Sequence, residues 1–172
     1  MEFLRALEGL PFSEWITQSD LGYPIMLSFH SIGLAAVVGI TAMMDVRVLG
    51  FAKGVPLSGF ARMTPVAVAG FWVNAISGVL LFMADATRLI DNWAFGVKML
   101  CVVVGGAMFW LHFRQLGLAR YSAVEVGEAT EAEPLVTRSV RIVAVVSLIA
   151  WLVAIDGGRL IAYVIDAAEL GV

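Results

Sequence analysis

The sequence predicts an all-α integral membrane protein, a four-helix bundle with a short amphipathic N-terminal interfacial helix. Of the residues of the chain, 60% are hydrophobic and only 15% are charged, and the mean hydropathy is +0.91. In a soluble domain about a quarter of the residues are charged. A chain of 172 residues cannot bury this much apolar surface in its own core, so lipid must cover the rest. Four stretches reach the roughly 20 apolar residues that a span requires: Tyr23–Val48, Pro65–Thr87, Trp93–Leu116 and Val140–Ile165.

The first element is the N-terminal segment. The spacing of Phe3, Leu4, Leu7 and Leu10 predicts a short helix lying on the membrane surface, with Trp15 at the level of the headgroups. Acidic residues interrupt the apolar positions, so the segment does not resemble a cleaved signal peptide.

The connections between the spans agree with this division. Lys53-Gly54-Val55-Pro56 and Asp91-Asn92 are typical of turns. The polar, acidic stretch Gly117–Thr137 is predicted to be a solvated loop. With neither a repeat nor a second domain in evidence, residues 1–172 are interpreted as one transmembrane domain.

The orientation follows from the basic residues, which concentrate on the cytoplasmic side of membrane proteins. The loops after the first and third spans, with the adjoining span ends, hold seven Lys and Arg residues, and the opposite side holds four. This distribution predicts a multi-pass protein of the bacterial inner membrane with both termini in the periplasm. The net charge of -3 and the absence of a basic run give no indication of nucleic-acid binding.

Polar and small residues form a stripe along each span, and such residues usually face other helices. The stripes comprise His30, Gly33, Val37, Thr41, Met44 and Asp45; Gly70, Asn74, Ser77, Gly78 and Asp85; Lys98, Cys101, Gly105, Met108 and His112; and Ser147, Trp151 and Gly158. Helix packing alone accounts for most of them. We also expect ion pairs among Asp85, Asp156, Arg88 and Arg159, and one between Asp45 and Arg47.

Both histidines of the chain, His30 and His112, lie within spans. An intramembrane ionisable residue is a functional hypothesis by default, and inward-facing histidines of helical bundles bind haem iron. Gly33 and Gly105 lie on the same faces and leave room for a flat macrocycle. The two histidines differ in depth by roughly 15 Å at 1.5 Å rise per residue, so one haem held by both is not expected.

Two haems, one in each leaflet, agree better with the different depths of His30 and His112 in the membrane. Met44 is then the candidate second ligand beside His112, while Met83 and Met99 point away from the site at His30. Arg159 is among the arginines that could pair with haem propionates. The alternative is that each histidine hydrogen-bonds a carbonyl or carboxylate and binds no cofactor.

The sequence resembles small bacterial four-helix inner-membrane proteins akin to the membrane b-type cytochromes. The resemblance is carried by Leu10-Pro11-Phe12-Ser13-Glu14-Trp15, His30-Ser31-Ile32-Gly33, Asp45-Val46-Arg47-Val48-Leu49-Gly50, Asn92-Trp93 with Lys98-Met99, His112-Phe113, and Gly158-Arg159-Leu160-Ile161-Ala162-Tyr163. It implies His30 and His112 as ligands of haem b. Dihaem cytochromes of this type usually supply four histidines, and this chain has two.

Two functions therefore stay open. One is an electron-transfer subunit that uses haem b and exchanges electrons with the quinone pool or a membrane redox complex. The other is a cofactor-free accessory subunit that packs against other membrane subunits or further copies of itself. We expect no catalytic activity of its own, since the chain lacks a nucleophile elbow, an HExxH motif and a phosphate loop.

Overall fold

The computed structural model describes residues 1–117 and 136–170, with side chains described as far as Val164. Over these ranges the chain forms seven helices: α1 (Glu2–Glu8), α2 (Pro11–Gln18), α3 (Gly22–Val48), α4 (Leu57–Ala84), α5 (Ala86–Ile90), α6 (Trp93–Gln115) and α7 (Arg138–Leu170). Most of the predicted loop Gly117–Thr137 lies outside the described residues.

Four of these helices, α3, α4, α6 and α7, are long and apolar enough to cross a membrane, which confirms the predicted fold class. The share of buried residues in their apolar windows is 22%, 17%, 11% and 44%, respectively. Large side chains such as Ile32, Val103 and Leu152 are more than 60% exposed. Most of the helical surface therefore faces lipid, and α7 is the most central helix.

The N-terminal segment forms two helices where the sequence predicted one. Leu10 is extended (φ -71°, ψ 143°) and Pro11 begins α2, because the residue before a proline disfavours helical geometry while proline suits the first helical position. Glu8 then fixes α1 to the bundle: its Oε1 accepts hydrogen bonds from the backbone N–H and the hydroxyl of Thr87, both at 2.7 Å.

The predicted boundaries of the second span differ most from the structure. The helix begins at Leu57, eight residues before Pro65, and Pro65 lies inside it. Leu57 and Phe60 are buried in an apolar cluster at this end of the bundle, and their burial extends the helix beyond the purely apolar stretch. At the other end the helix stops at Asp85 (φ -144°, ψ 42°), and α5 follows separately.

The spans are arranged side by side in the order α4, α3, α7, α6. α3 packs extensively against α4, and α6 against α7; α3 and α7 join the two pairs. Since consecutive spans run in opposite directions, α1, α2 and α5 lie together on one side of the membrane, which we call the N-terminal side. The remaining end of the bundle is the opposite side.

α4 and α6 separate in the middle of the membrane. Phe82 and Phe95 stack near the N-terminal side, with ring centroids 5.4 Å apart, and an apolar cluster that includes Phe60 and Leu116 closes the opposite end. Between these contacts lies a crevice of about 240 Å³. We call it the lateral window; it is lined by Val37, Ala67, Val68, Phe71, Gly106, Phe109 and Trp151.

Candidate functional site: two polar centres inside the bundle

The buried face of α3 agrees with the predicted stripe, since Gly33, Val37, Thr41, Met44 and Asp45 are all buried. Seven residues of the spans form two separate polar centres. The Asp45–His112 centre lies towards the opposite side and comprises Asp45, His112, Ser147 and the carbonyl of Val140. The His30–Asn74 centre lies towards the N-terminal side and comprises His30, Asn74 and Ser77.

Asp45 of α3 and His112 of α6 are in direct contact, and neither side chain has any exposed surface. Nδ1 of His112 lies 2.9 Å from Oδ1 of Asp45, in a bent rather than linear arrangement. Nε2 of the same ring lies 3.1 Å from the carbonyl oxygen of Val140 on α7. A carbonyl oxygen can only accept, so Nε2 carries a hydrogen and donates it. His112 thereby links three spans.

One further proton must lie between Asp45 and His112, because two lone pairs at this distance would repel each other. The centre is then neutral as a whole, whether the proton is on the carboxyl or on the imidazole. Ser147 is fully buried beside the carboxyl group but is not aligned for a hydrogen bond. An unpaired charge in hydrocarbon is expensive, so each member of the pair makes the burial of the other tolerable.

Asp45 therefore does not form the ion pair with Arg47 that the sequence suggested. Arg47 instead donates from Nε to the carbonyl of Val55 in the connection after α3. Asp45 and His112 each lie three residues before the end of their helices, which places both about 4.5 Å from that end at 1.5 Å per residue. This agreement in depth is a signal that the sequence contains and that sequence reasoning missed.

The His30–Asn74 centre joins α3 to α4. Nδ1 of His30 lies 3.0 Å from the carbonyl oxygen of Asn74 and 3.3 Å from the hydroxyl of Ser77. In return, the side-chain amide of Asn74 donates to the carbonyl of His30 at 2.8 Å. With the Nδ1 hydrogen donated to Asn74, Nε2 keeps its lone pair, and it has no hydrogen-bonding partner among the described residues.

Neighbouring helices pack directly against the glycines beside the histidines, so no open space lies there. A Cβ atom on Gly33 would lie 2.6 Å from the backbone nitrogen of Asn74 and 2.7 Å from the oxygen of Gly70, so the α3 and α4 backbones are in close contact there. A Cβ atom on Gly105 would lie 2.7 Å from the ring of Trp151. These glycines allow neighbouring helices to approach, as small residues do in membrane proteins.

The remaining predicted residues are dispersed. Met44 is buried in the apolar cluster with Val48 and Leu57, so α3 presents Asp45 and not Met44 to the ring of His112. Arg159 is exposed on α7. Lys98 of α6 lies against Gly157 and Gly158 of α7.

These contacts test whether a haem fits the predicted ligands. Iron takes a ring nitrogen with a free lone pair, and at His112 one nitrogen donates to Val140 while the other meets Asp45; Gly105 is covered by Trp151. The residues around His112 therefore do not fit a haem. His30 differs, because a histidine that donates Nδ1–H to a carbonyl and keeps Nε2 open has the arrangement usual for metal-ligating histidines.

Four long apolar helices with paired polar residues between them define a small multi-pass membrane protein. Comparison of the chain with protein-family models, curated protein sequences and solved structures finds no match.

Proposed function

We propose that the chain is a cofactor-free accessory subunit of a larger membrane assembly. The observation that carries this proposal is the Asp45–His112 contact. The Asp45–His112 pair brings an acid and a base together inside the bundle, and it joins α3, α6 and α7 with both ring nitrogens engaged. The polar interior then serves to hold a defined helical framework in lipid.

A docking place for a partner is supplied by the lateral window. It is lined by Gly106 of α6 and by the exposed Val68 and Phe71 of α4, and a small residue such as glycine permits the close approach of another helix. On the N-terminal side, the contact between Glu8 and Thr87 holds α1 in place, so the partner meets an ordered surface at that end of the bundle as well.

The test is the mass of the protein extracted from its native membrane with a detergent-free polymer. We expect it to be part of a larger assembly, whereas a lone 18.5 kDa chain overturns the proposal. A matched pair of variants examines the window: Gly106→Phe should release the partner and Gly39→Phe should not. A Cβ atom at either glycine has no neighbour within 4 Å, and Gly39 lies outside the window.

A second candidate function is electron transfer by haem b, and the open Nε2 of His30 favours it. A haem bound there would supply one-electron chemistry between the quinone pool and a membrane partner. Reduced-minus-oxidised absorption spectra of the wild type, His30→Ala and His112→Gln distinguish the candidates. A haem band that disappears only in His30→Ala supports this function, and a wild type without a band removes it.

We further propose the bacterial inner membrane as the location, with the N-terminal side facing the periplasm. The support is the distribution of the basic residues, with seven on the opposite side and four on the N-terminal side. In a Cys101→Ser background, Glu2→Cys should react with a membrane-impermeant thiol reagent in intact cells. Lys53→Cys should react only after lysis, and the reverse pattern contradicts this orientation.

A further inference from the structure

A groove larger than the lateral window lies at the opposite side, between α3, α4 and the connection that joins them. We call it the α3–α4 groove; its volume is about 510 Å³. Its lining includes four large apolar side chains that are between 38% and 50% exposed: Met43, Val46, Val55 and Met63. The apolar surface of this groove is therefore accessible from the bilayer. None of the residues that line it also lines the lateral window.

The groove extends from the hydrocarbon to the depth of the lipid headgroups. Met43 lies five residues before the end of α3 at Val48, which is about 7.5 Å at 1.5 Å per residue. The other end is formed by the connection, where Arg47 donates from Nε to the carbonyl of Val55. Arg47 thereby holds the connection against the end of α3, and both residues line the groove.

Two exposed cationic side chains lie at the headgroup end of the groove. Lys53 is in the connection, and Arg62 directly precedes the lining residue Met63. Cε of Lys53 lies 3.8 Å from the position that a Cβ atom on Gly50 would occupy, so its ammonium group stays beside the end of α3. Neither Lys53 nor Arg62 has an acidic partner among the described residues.

The charges of the opposite side favour an anionic occupant. The acidic residue on this side of the described chain is Asp45, and it is buried against His112. The exposed charged side chains described on this side are all basic: Lys53, Arg62, Arg114, Arg138 and Arg141. Basic residues beside the end of a span attract anionic lipid headgroups.

The size of the groove favours an acyl chain over a partner helix. A helix with its side chains is about 10 Å across, so a space of about 510 Å³ corresponds to little more than one of its turns. Water occupies about 30 Å³ per molecule in the liquid, and the same space equals that of roughly seventeen waters. A single flexible chain can follow such a groove, and a rigid helix cannot enter it.

We propose that the α3–α4 groove binds a phospholipid whose headgroup carries a net negative charge. One acyl chain lies against Met43, Val46 and Met63. The phosphate is bound by Lys53 and Arg62, since ammonium and guanidinium groups form charge-assisted hydrogen bonds to phosphate. A zwitterionic headgroup brings a further cation towards these two residues, so it binds less well.

The experiment measures lipid selectivity in nanodiscs that contain equal amounts of phosphatidylglycerol and phosphatidylethanolamine with identical acyl chains. The lipids retained by the full chain after transfer to mild detergent are quantified by mass spectrometry. We expect phosphatidylglycerol to be enriched about fivefold, the effect of one basic residue beside anionic lipid. Lys53→Gln combined with Arg62→Gln should abolish the enrichment. Ala42→Phe should lower the retention of both lipids, because Ala42 lines the groove and the larger side chain fills it.

Two variants serve as matched controls. Arg141→Gln removes an exposed cation on the same side, and Ala35→Phe adds the same volume at an exposed position of α3; neither residue lines the groove. Retention is compared only in the monodisperse, helical fraction of each variant, so a folding defect does not imitate a loss of selectivity.

Equal retention of the two lipids by the wild type overturns the proposal, as does enrichment that persists in the double variant. A loss in Arg141→Gln as large as that in the double variant indicates general attraction to a basic surface and overturns a bound site. Retention in Ala42→Phe equal to that in Ala35→Phe overturns the assignment of the acyl chain to the groove.

Discussion

Removing one partner of the Asp45–His112 pair should destabilise the protein strongly. Both side chains are fully buried, and leaving one member of a buried ionisable pair without its partner costs about 3 to 5 kcal/mol. We therefore expect Asp45→Ala and His112→Ala each to lower the free energy of unfolding by about 3 kcal/mol or more. The double variant should lose less than the sum, with a coupling energy of about 1.5 to 3 kcal/mol.

Asp45→Asn refines the same prediction. With Nε2 of His112 donating to Val140, a neutral ring offers Nδ1 as an acceptor, and an asparagine amide can donate to it. Asp45→Asn should then lose clearly less stability than Asp45→Ala. The matched control is Thr41→Val, one turn away and equally buried, where only a hydrogen bond to the carbonyl of Val37 in the same helix is removed. Its cost should not exceed about 0.6 kcal/mol, the average for side-chain hydrogen bonds between membrane helices.

The assay is reversible unfolding in mixed micelles of mild and denaturing detergent, followed by circular dichroism. Additive losses in the double variant, with a coupling energy below about 0.5 kcal/mol, would refute the reasoning, since two residues that stabilise each other cannot be independent. A loss in Thr41→Val equal to that in Asp45→Ala would show that any change on this face has the same effect.

Three further predictions concern packing and pH. Gly105→Ala should cost about 1 to 3 kcal/mol by overpacking, because its Cβ would meet a tryptophan ring, whereas Gly106→Ala, whose Cβ has open space, should leave the unfolding midpoint unchanged; equal midpoints would contradict this. Gly33→Ala should force α3 and α4 apart and weaken crosslinking between cysteines introduced on these helices, with Gly39→Ala as the neutral control. Hydrogen bonds from the backbone N–H and the hydroxyl of Thr87 hold the pKa of Glu8 below its ordinary value. The contact therefore stabilises the fold fully above the unfolded-state pKa, and this stabilisation is lost as pH falls through the lower folded-state pKa. Melting temperatures from pH 7 to pH 3 should show the loss in the wild type and not in Glu8→Gln, and identical profiles would exclude the contact as its cause.

The sequence predicted the spans and their buried faces because both depend on patterns within one helix. Apolar length defines a span, and the 3.6-residue period places Gly33, Thr41 and Asp45 on one side. The pairing of Asp45 with His112 depends on the lateral order of the helices instead. That order follows from contacts between helices, such as Gly33 with the backbone of α4, and nothing within a single span reveals them. The open nitrogen of His30 was equally hidden, because it follows from the position of Asn74.

The order α4, α3, α7, α6 divides the chain into two antiparallel hairpins that meet through their inner members. Each hairpin is hydrophobic enough to enter the bilayer as a unit. Hydrophobicity alone does not determine which helices pair, because acyl chains solvate a leucine side chain as well as another leucine does. The contact between Asp45 of the first hairpin and His112 of the second determines this pairing. Two halves separated in the short α5 connection and produced together should accordingly associate, and Asp45, the acid within the spans of the first half, is the residue that His112 of the second half recognises.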